Sequence, residues 1–235
     1  MKHVRARKGP FIARPYYTDQ EIENICQDEL QAHNLMPERP SAIRIDRFIE
    51  KKFDVVHSYE VLGDGVLGLT QFGRTGVSAI IVSRSLEEDG TQAAEGRVRS
   101  TLAHEAGHGL LHAHLFVLQD QQPLFGDSSD PSGPKILCRN EIEKGIEHSY
   151  SGEWWEYHAN KAIGALLMPA KLVEIALRDQ NFLIVSGGLS IKAFDHSKMT
   201  DASKYLASVF NVNPAVSRLR LNQLYPLGAR GQMTL

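Results

Sequence analysis

Residues 101–116 read TLAHEAGHGLLHAHLF, and this stretch carries the most informative pattern in the chain. Its apolar residues repeat with a helical period, which predicts a helix from about 95 to 116. His104 and His108 are four residues apart, so their side chains lie on one face of that helix, about one turn apart. Two histidines placed in this way can bind one metal ion, and Glu105 beside them can take a proton from water that the ion activates.

The pattern H-E-x-x-H is typical of zinc hydrolases, whose catalytic zinc takes three protein ligands and keeps one position open. Two later histidines on the same helix are poor candidates for the third ligand. His114 has the spacing of the metzincin histidine, but Leu111 stands where that class needs a glycine, so the helix should continue. His112 lies a further turn along the ligand face, and we expect it to support a ligand histidine or to be buried structure.

A second helix, predicted from about 151 to 168, offers better candidates in SGEWWEYHANKAIGALLMP. Glu156 and Asn160 are four residues apart and share a face of this helix. Their arrangement resembles the gluzincin E-x-x-x-D pattern, in which the glutamate binds zinc and the later residue holds a ligand histidine. Asn160 can fix a histidine tautomer in the same way. Glu153, on nearly the same face, is the alternative ligand.

The remaining patterns predict an α+β fold. Thr18 and Glu21 form a capping box ahead of an N-terminal helix, and Cys26 falls on the apolar stripe of that helix as a small hydrophobic residue. Between about 54 and 83, short β-prone runs are separated by glycine-rich turns. These runs favour a small, largely antiparallel sheet beside the helices.

A long polar segment from about 117 to 150 separates the two motif helices. Connections of this length are usually functional or mobile, and we expect a flap near the cleft from about 119 to 135. Hydrolysis of a peptide also requires a donor to the oxyanion that develops on the carbonyl. Tyr150 and His148, at the end of this segment, are the candidate donors.

These patterns divide the chain into a basic tail at 1–15, a metallopeptidase domain at 16–180 and a C-terminal helical segment at 181–235. Two short helices are predicted in the last segment, at about 200–210 and 214–224, and their short connecting turn resembles a helix-turn-helix. The second of these helices has few basic residues and the net charge of the chain is −2. DNA binding is therefore the less favoured interpretation, and we expect both helices to pack on the core.

The composition excludes several classes of protein. Of the 235 residues, 42% are apolar and 23% are charged, which is typical of one globular domain with or without a small appendage. Two cysteines are too few for a disulfide framework. No signal-peptide segment follows the basic N-terminus, and no stretch approaches the roughly 18 apolar residues of a membrane helix. We therefore predict a cytoplasmic protein with no membrane partner.

The segments TLAHEAGHGLLH and WWEYHANKAIGALLMP together resemble the ImmA/IrrE family of metallopeptidases. The usual family forms are close to T-L-A-H-E-L-G-H-x-x-L-H and E-x-x-A-N-x-F-A-x-x-L-L-M-P, and the resemblance extends over about 16–225 of the chain. Ala106 and Ile163 depart from these forms, where leucine and phenylalanine are usual, but both are apolar packing positions. Cys138 is also similar to a cysteine of some members, in which a thiolate can cap the zinc; a free thiol is the simpler interpretation.

The resemblance implies a zincin-like fold, in which a small antiparallel sheet packs on a helical body and the zinc site lies between two helices. It gives Glu156 the role of third Zn²⁺ ligand beside His104 and His108, with Glu105 as the catalytic base. Family members often cleave a helix-turn-helix repressor, and some act as toxin partners. The predicted function is site-specific hydrolysis of a peptide bond in a regulatory protein such as a transcriptional repressor. The alternatives are a DNA-binding or protein-interaction regulator that retains a peptidase fold, and a toxin–antitoxin component.

Overall fold

The structure is a computed structural model that describes residues 2–5, 13–120, 135–139, 154–186 and 191–227. Its helices are α1 Asp19–Ala32, α2 Ile45–Phe53, α3 Arg84–Glu88, α4 Gln92–Asp120, α5 Trp154–Leu167, α6 Ala170–Asp179, α7 Met199–Phe210 and α8 Pro214–Leu224. Its strands are β1 Lys2–Arg5, β2 Ala13–Tyr16, β3 Ser58–Glu60, β4 Val66–Gly73, β5 Gly76–Ser83, β6 Lys135–Arg139, β7 Leu183–Ser186 and β8 Ile191–Phe194. This mixture of helices with small sheets confirms the α+β class.

The largest sheet of the described chain has four strands in the order β3-β5-β4-β6. Strand β4 pairs antiparallel with β5, as the glycine turn between them predicts, and it also pairs antiparallel with β6, which was not predicted. Strand β3 instead pairs parallel with β5, because the chain crosses from one side of β5 to the other before β4 begins. The expectation of an antiparallel sheet is therefore wrong for β3, and the sheet is mixed.

Helix α1 begins as the sequence predicts. The Thr18 hydroxyl accepts a hydrogen bond from the backbone N–H of Glu21 at 3.2 Å, and the Glu21 carboxylate accepts one from the backbone N–H of Thr18 at 2.8 Å. One face of the helix is buried in the core, including Ile22, Cys26 and Leu30. Cys26 is fully enclosed, and burial raises the pKa of its thiol, so it acts as a small hydrophobic residue as expected.

Helix α4 has 29 residues and is longer at both ends than the predicted range. The hydroxyl of Thr91 accepts a hydrogen bond from the backbone N–H of Ala94 at 3.1 Å, which caps the first turn of α4. At its other end, the helix continues to Asp120 before the chain reaches β6. Helix α4 packs against β4 and β5 on one side and against α5 on the other. It is therefore the central element of the fold, and both of its faces are covered.

The two C-terminal helices belong to the same core. Buried apolar residues of α7 and α8 include Leu206, Phe210 and Leu221. Arg220 of α8 is also buried: it pairs with the Glu23 carboxylate of α1 at 2.5 Å, and its Nε donates a hydrogen bond to a backbone carbonyl at the α5–α6 junction at 3.0 Å. This arginine is one of the few basic residues of the helix-turn-helix-like segment, and its burial removes it from any nucleic-acid surface.

Two small hairpins were not expected from the sequence. Strands β1 and β2 pair antiparallel within a segment predicted to be a tail at 1–15, and β7 pairs antiparallel with β8. Most of the predicted flap, from 121 to 134, lies outside the described residues. Among the helices that the structure describes, none combines the length and apolar character needed to cross a membrane.

Candidate metal centre

The two motif helices approach each other closely because small residues line their contact. A Cβ atom added to Gly107 of α4 would lie 2.8 Å from the Cβ of Ala162 and 3.2 Å from the Cα of Ala159, both on α5. Contacts this short leave no room for a larger side chain on α4. Ala106 and Ile163, the two departures from the family forms, are buried packing residues, as expected.

This close packing brings together His104 and His108 of α4 with Glu156 of α5. The Nε2 atom of His104 lies 3.1 Å from Oε2 of Glu156, and Nε2 of His108 lies 3.4 Å from Oε1 of the same carboxylate. The two Nε2 atoms are 3.0 Å apart. The three ligand atoms lie within 4.8 Å of one another, so the group could hold a metal ion. His114 is not part of this group, and Glu153 lies outside the described residues.

Asn160 orients His104 in the way that its spacing predicts. Its side-chain oxygen lies 3.1 Å from Nδ1 of His104, on the side of the ring away from Glu156. Because a carbonyl oxygen only accepts hydrogen bonds, this contact places the proton of neutral His104 on Nδ1. The Nε2 atom then carries a lone pair directed toward the other two candidate ligands.

His112 makes the equivalent contact with His108, one helical turn away. The Nδ1 atoms of the two rings are 3.0 Å apart, so one must donate and the other accept. Burial and the neighbouring histidines hold the pKa of His112 well below its ordinary value, which keeps the ring neutral and able to accept. The ring packs against Trp154 and stacks on His158, with ring centroids 5.4 and 5.8 Å away. His112 is therefore fixed by packing while its Nδ1 faces His108.

The charges of the group also suit a cation. Burial alone would raise the pKa of Glu156, but the hydrogen bonds and positive charge that His104 and His108 offer it when their rings are protonated outweigh burial and lower that pKa below its ordinary value. Burial lowers the pKa of His108, which favours the neutral ring. When both rings are neutral, His104 donates its Nδ1 proton in a hydrogen bond to Asn160 and His108 donates its own to His112, so their Nε2 lone pairs face each other across 3.0 Å. A cation bound by both nitrogens and the carboxylate removes this repulsion, so the residues present fit a metal ion.

Glu105 is fully buried beside this group. Its Oε2 atom accepts a hydrogen bond from the hydroxyl of Thr70 on β4 at 2.5 Å, whereas Oε1 has no hydrogen-bond partner within the described part of the chain. Burial raises the pKa of Glu105 to about 7, although the charge of His104 and the hydrogen bond from Thr70 act to lower it. A carboxyl with this pKa can accept and release a proton near neutral pH.

Thr70 was not predicted as a site residue. The only sequence signal is a polar residue inside the apolar run GVLGLTQF, and such a residue is common on a solvent-facing strand position. Two other predictions cannot be placed, because Tyr150 and His148 lie outside the described residues. For Cys138, the structure describes the backbone in β6, opposite Gly68 of β4, but not the side chain.

No protein-family model and no curated protein matches this chain. The similarity to the ImmA/IrrE family therefore stays a prediction based on the two motifs. The chemistry of the site has to be argued from its geometry, which brings three candidate metal ligands and a buried carboxyl together.

Proposed function

We propose that this protein is a zinc-dependent metalloendopeptidase with a zincin-like fold. The observation that carries this proposal is the convergence of His104, His108 and Glu156 from two helices, with Glu105 buried beside them. Three protein ligands and a neighbouring carboxyl are the components of a catalytic zinc site in a hydrolase. The resemblance of both helices to the ImmA/IrrE motifs supports the same conclusion.

The donor set favours zinc over the other common divalent ions. Magnesium and calcium prefer six or more oxygen ligands, whereas two imidazole nitrogens with one carboxylate are typical of zinc. Zinc, when bound, supplies a Lewis acid that polarises the scissile carbonyl and lowers the pKa of water. His104 and His108 would hold it through their Nε2 atoms and Glu156 through its carboxylate.

Glu105 is the group that moves the proton in this proposal. Its Oε1 atom has no hydrogen-bond partner among the described residues and can accept a proton from the attacking water. The water oxygen then bonds to the carbonyl carbon and the C–N bond breaks. The proton held by Glu105 passes to the amine nitrogen that leaves, which returns the carboxylate to its ionised state. Burial, which raises the pKa of Glu105 in the metal-free chain, makes its carboxyl a better proton acceptor than an exposed glutamate, as a group that must first take and then release a proton requires.

The proposed substrate is a single regulatory protein, with a helix-turn-helix repressor as the leading candidate. This choice rests on the family resemblance. The burial of Arg220 weighs against the alternative in which the C-terminal helices bind DNA, because α8 uses this side chain to pack on α1. A toxin–antitoxin role is compatible with the same chemistry and differs only in the protein that is cleaved.

Zinc analysis combined with Glu105→Gln tests the proposal. We expect about one zinc per chain in the wild type and in Glu105→Gln, because glutamine leaves the three ligands in place. Cleavage of the proposed substrate, a helix-turn-helix repressor, should fall by at least about 10²-fold in the variant, since glutamine cannot take the proton. His104→Ala should lose both metal and cleavage, whereas His114→Ala should keep both.

Three outcomes would contradict this function. Zinc below about a tenth of an equivalent after supplementation would show that the group is not the metal site proposed here. A wild-type rate in Glu105→Gln would remove the proposed base. Partner binding by the zinc-loaded protein without any cleavage would instead favour a non-catalytic regulator.

A further inference from the structure

Strand β4 touches the carboxyl of Glu105 at two points. Gly68 and Thr70 are two residues apart and therefore present the same face of the strand to α4. A Cβ atom on Gly68 would lie 2.5 Å from Oε1 of Glu105 and 2.5 Å from Cγ2 of Thr101, so no side chain fits there. The backbone of β4 thus lies directly against the carboxyl group.

The second contact is the buried hydroxyl of Thr70. It lies 2.5 Å from Oε2 of Glu105 and 3.2 Å from the backbone carbonyl oxygen of the same residue. A hydroxyl has one proton, and toward an ionised carboxylate it donates that proton in a short, charge-assisted hydrogen bond. Within the described residues this is the hydrogen bond that the carboxyl makes, because Oε1 has none.

Without such a bond the carboxyl group could turn. The terminal torsion of a glutamate is broad, so packing alone does not fix which oxygen faces a given direction. The Thr70 hydroxyl binds Oε2, and the missing side chain of Gly68 leaves space for Oε1. The two residues therefore select one orientation, in which Oε1 is the oxygen that remains able to accept a proton.

We infer that Thr70 is a positioning residue for the proposed general base, holding Glu105 through its hydroxyl while Gly68 gives the carboxyl room. This inference rests on the proposed hydrolytic function. Thr70 lies on the sheet, outside both helical motifs. The proposed active site therefore includes a residue of β4 as well as residues of the two helices. Valine has nearly the shape of threonine, with a methyl group in place of the hydroxyl, so Thr70→Val removes the hydrogen bond to Glu105 and keeps most of the volume of the side chain.

Thr70→Val and Thr70→Ser separate the hydroxyl from the packing. On the zinc-loaded protein, Thr70→Val should lower kcat by about 10- to 100-fold with KM unchanged, because misplaced catalytic groups cost rate more than binding. Thr70→Ser keeps the hydroxyl and should stay within about 3-fold of the wild type on the same reasoning. Zinc content should be unchanged in both. Ser100→Ala is the control, since it removes a buried hydroxyl that binds the Gly96 carbonyl at 2.8 Å on the same helix as Glu105.

A second measurement does not depend on activity. In protein labelled with ¹³C at the glutamate carboxyls, the Glu105 resonance is identified by its absence in Glu105→Gln. Thr70→Val should shift this resonance in the metal-free and in the zinc-loaded protein, and Thr70→Ser should restore it, because the hydroxyl bonds directly to that carboxyl. If circular dichroism shows that Thr70→Val does not fold, Thr70→Ala replaces it in both measurements.

The outcomes separate the inference from the proposed function. A wild type that cleaves no substrate would contradict the proposed function, while the carboxyl resonance would still decide whether Thr70 holds Glu105. An unchanged resonance in Thr70→Val, or wild-type kcat in that variant, would overturn the inference. Equal loss of kcat in Thr70→Val and Ser100→Ala would also overturn it, because the effect would then be one of general stability.

Discussion

Glu105→Gln should stabilise the metal-free protein at neutral and alkaline pH, although it removes the proposed catalytic base. Glu105 is fully buried, and burial raises the pKa of its carboxyl from the ordinary 4.5 to about 7. An acid with a higher pKa in the folded state stabilises the fold below the unfolded pKa and loses that stability as pH rises through the folded pKa. Glutamine does not ionise, so the variant does not lose folding stability as the pH rises.

The size of the effect follows from the two pKa values. A rise from 4.5 to about 7 corresponds to about 3 kcal/mol, at about 1.4 kcal/mol per unit. The free energy of unfolding of Glu105→Gln minus that of the wild type should be constant below pH 4.5, should increase up to about pH 7 and should then level off. The lowered pKa of Glu156 works in the opposite direction, with stability lost as pH falls, but it is common to both proteins and cancels in the difference.

Guanidinium unfolding at several pH values between about 5 and 8, in the presence of a chelator, measures this difference. The fluorescence of Trp154, which is 2% exposed, reports the loss of the core. Glu88→Gln removes an exposed carboxylate and serves as the surface control. A difference between variant and wild type that is the same at pH 5 and pH 8 would refute the reasoning, because it would show that burial does not penalise the charge on Glu105.

Three further substitutions test the packing around the site. Asn160→Ala should leave the fold intact but weaken zinc binding by about 10- to 100-fold, because His104 loses its orienting partner. A competition with a chelator measures this affinity. An unchanged affinity would contradict the role of Asn160. Gly107→Ala should cost about 1–3 kcal/mol in denaturant unfolding, because the added Cβ would lie 2.8 Å from the Cβ of Ala162. Gly63→Ala is the control and should cost little, because a Cβ there meets nothing within 4 Å. Arg220→Ala should cost about 3–5 kcal/mol in denaturant unfolding, because the buried Glu23 carboxylate loses its cation and keeps only the hydrogen bond from the backbone N–H of Ala170 among the contacts described. The exposed Arg218→Ala should cost less than about 0.5 kcal/mol. Similar values for the two arginines would show that the ion pair contributes nothing.

The convergence of the candidate site was predictable because its parts lie on two regular helices. A spacing of four residues places His104 with His108, and Glu156 with Asn160, whatever the rest of the chain does. The sequence could not give the distance between the helices, which depends on the close contact of Gly107 with α5. The observed contacts among these side chains agree with the predicted arrangement.

The parts that were missed depend on contacts between distant segments. Thr70 reaches Glu105 across 35 residues, and nothing in its local pattern distinguishes it from a solvent-facing threonine. The parallel pairing of β3 depends on which edge of β5 it occupies. A strand of three residues has too short a sequence pattern to predict that edge. Helix α4 begins at Gln92, earlier than predicted, because the polar residues of its first turn carry no apolar helical pattern. The hydroxyl of Thr91 stabilises this turn by capping it.

The ion pair between Glu23 and Arg220 also constrains how the chain can fold while it is being synthesised. Its two members are 197 residues apart, so α1 leaves the ribosome long before the cation that neutralises its buried carboxylate. Before α8 is made, the Glu23 carboxylate can accept the hydrogen bond from the backbone N–H of Ala170 at 2.7 Å, but it lacks the cation that offsets the cost of burying its charge, so the contact of α1 with the α5–α6 junction is weakened. A nascent chain stalled before α8 would contain all three candidate metal ligands, and its α5 could still pack against α4 and α1 but not against α8. Truncated translation products without α8 are therefore expected to hold the candidate metal site less firmly than the full chain does.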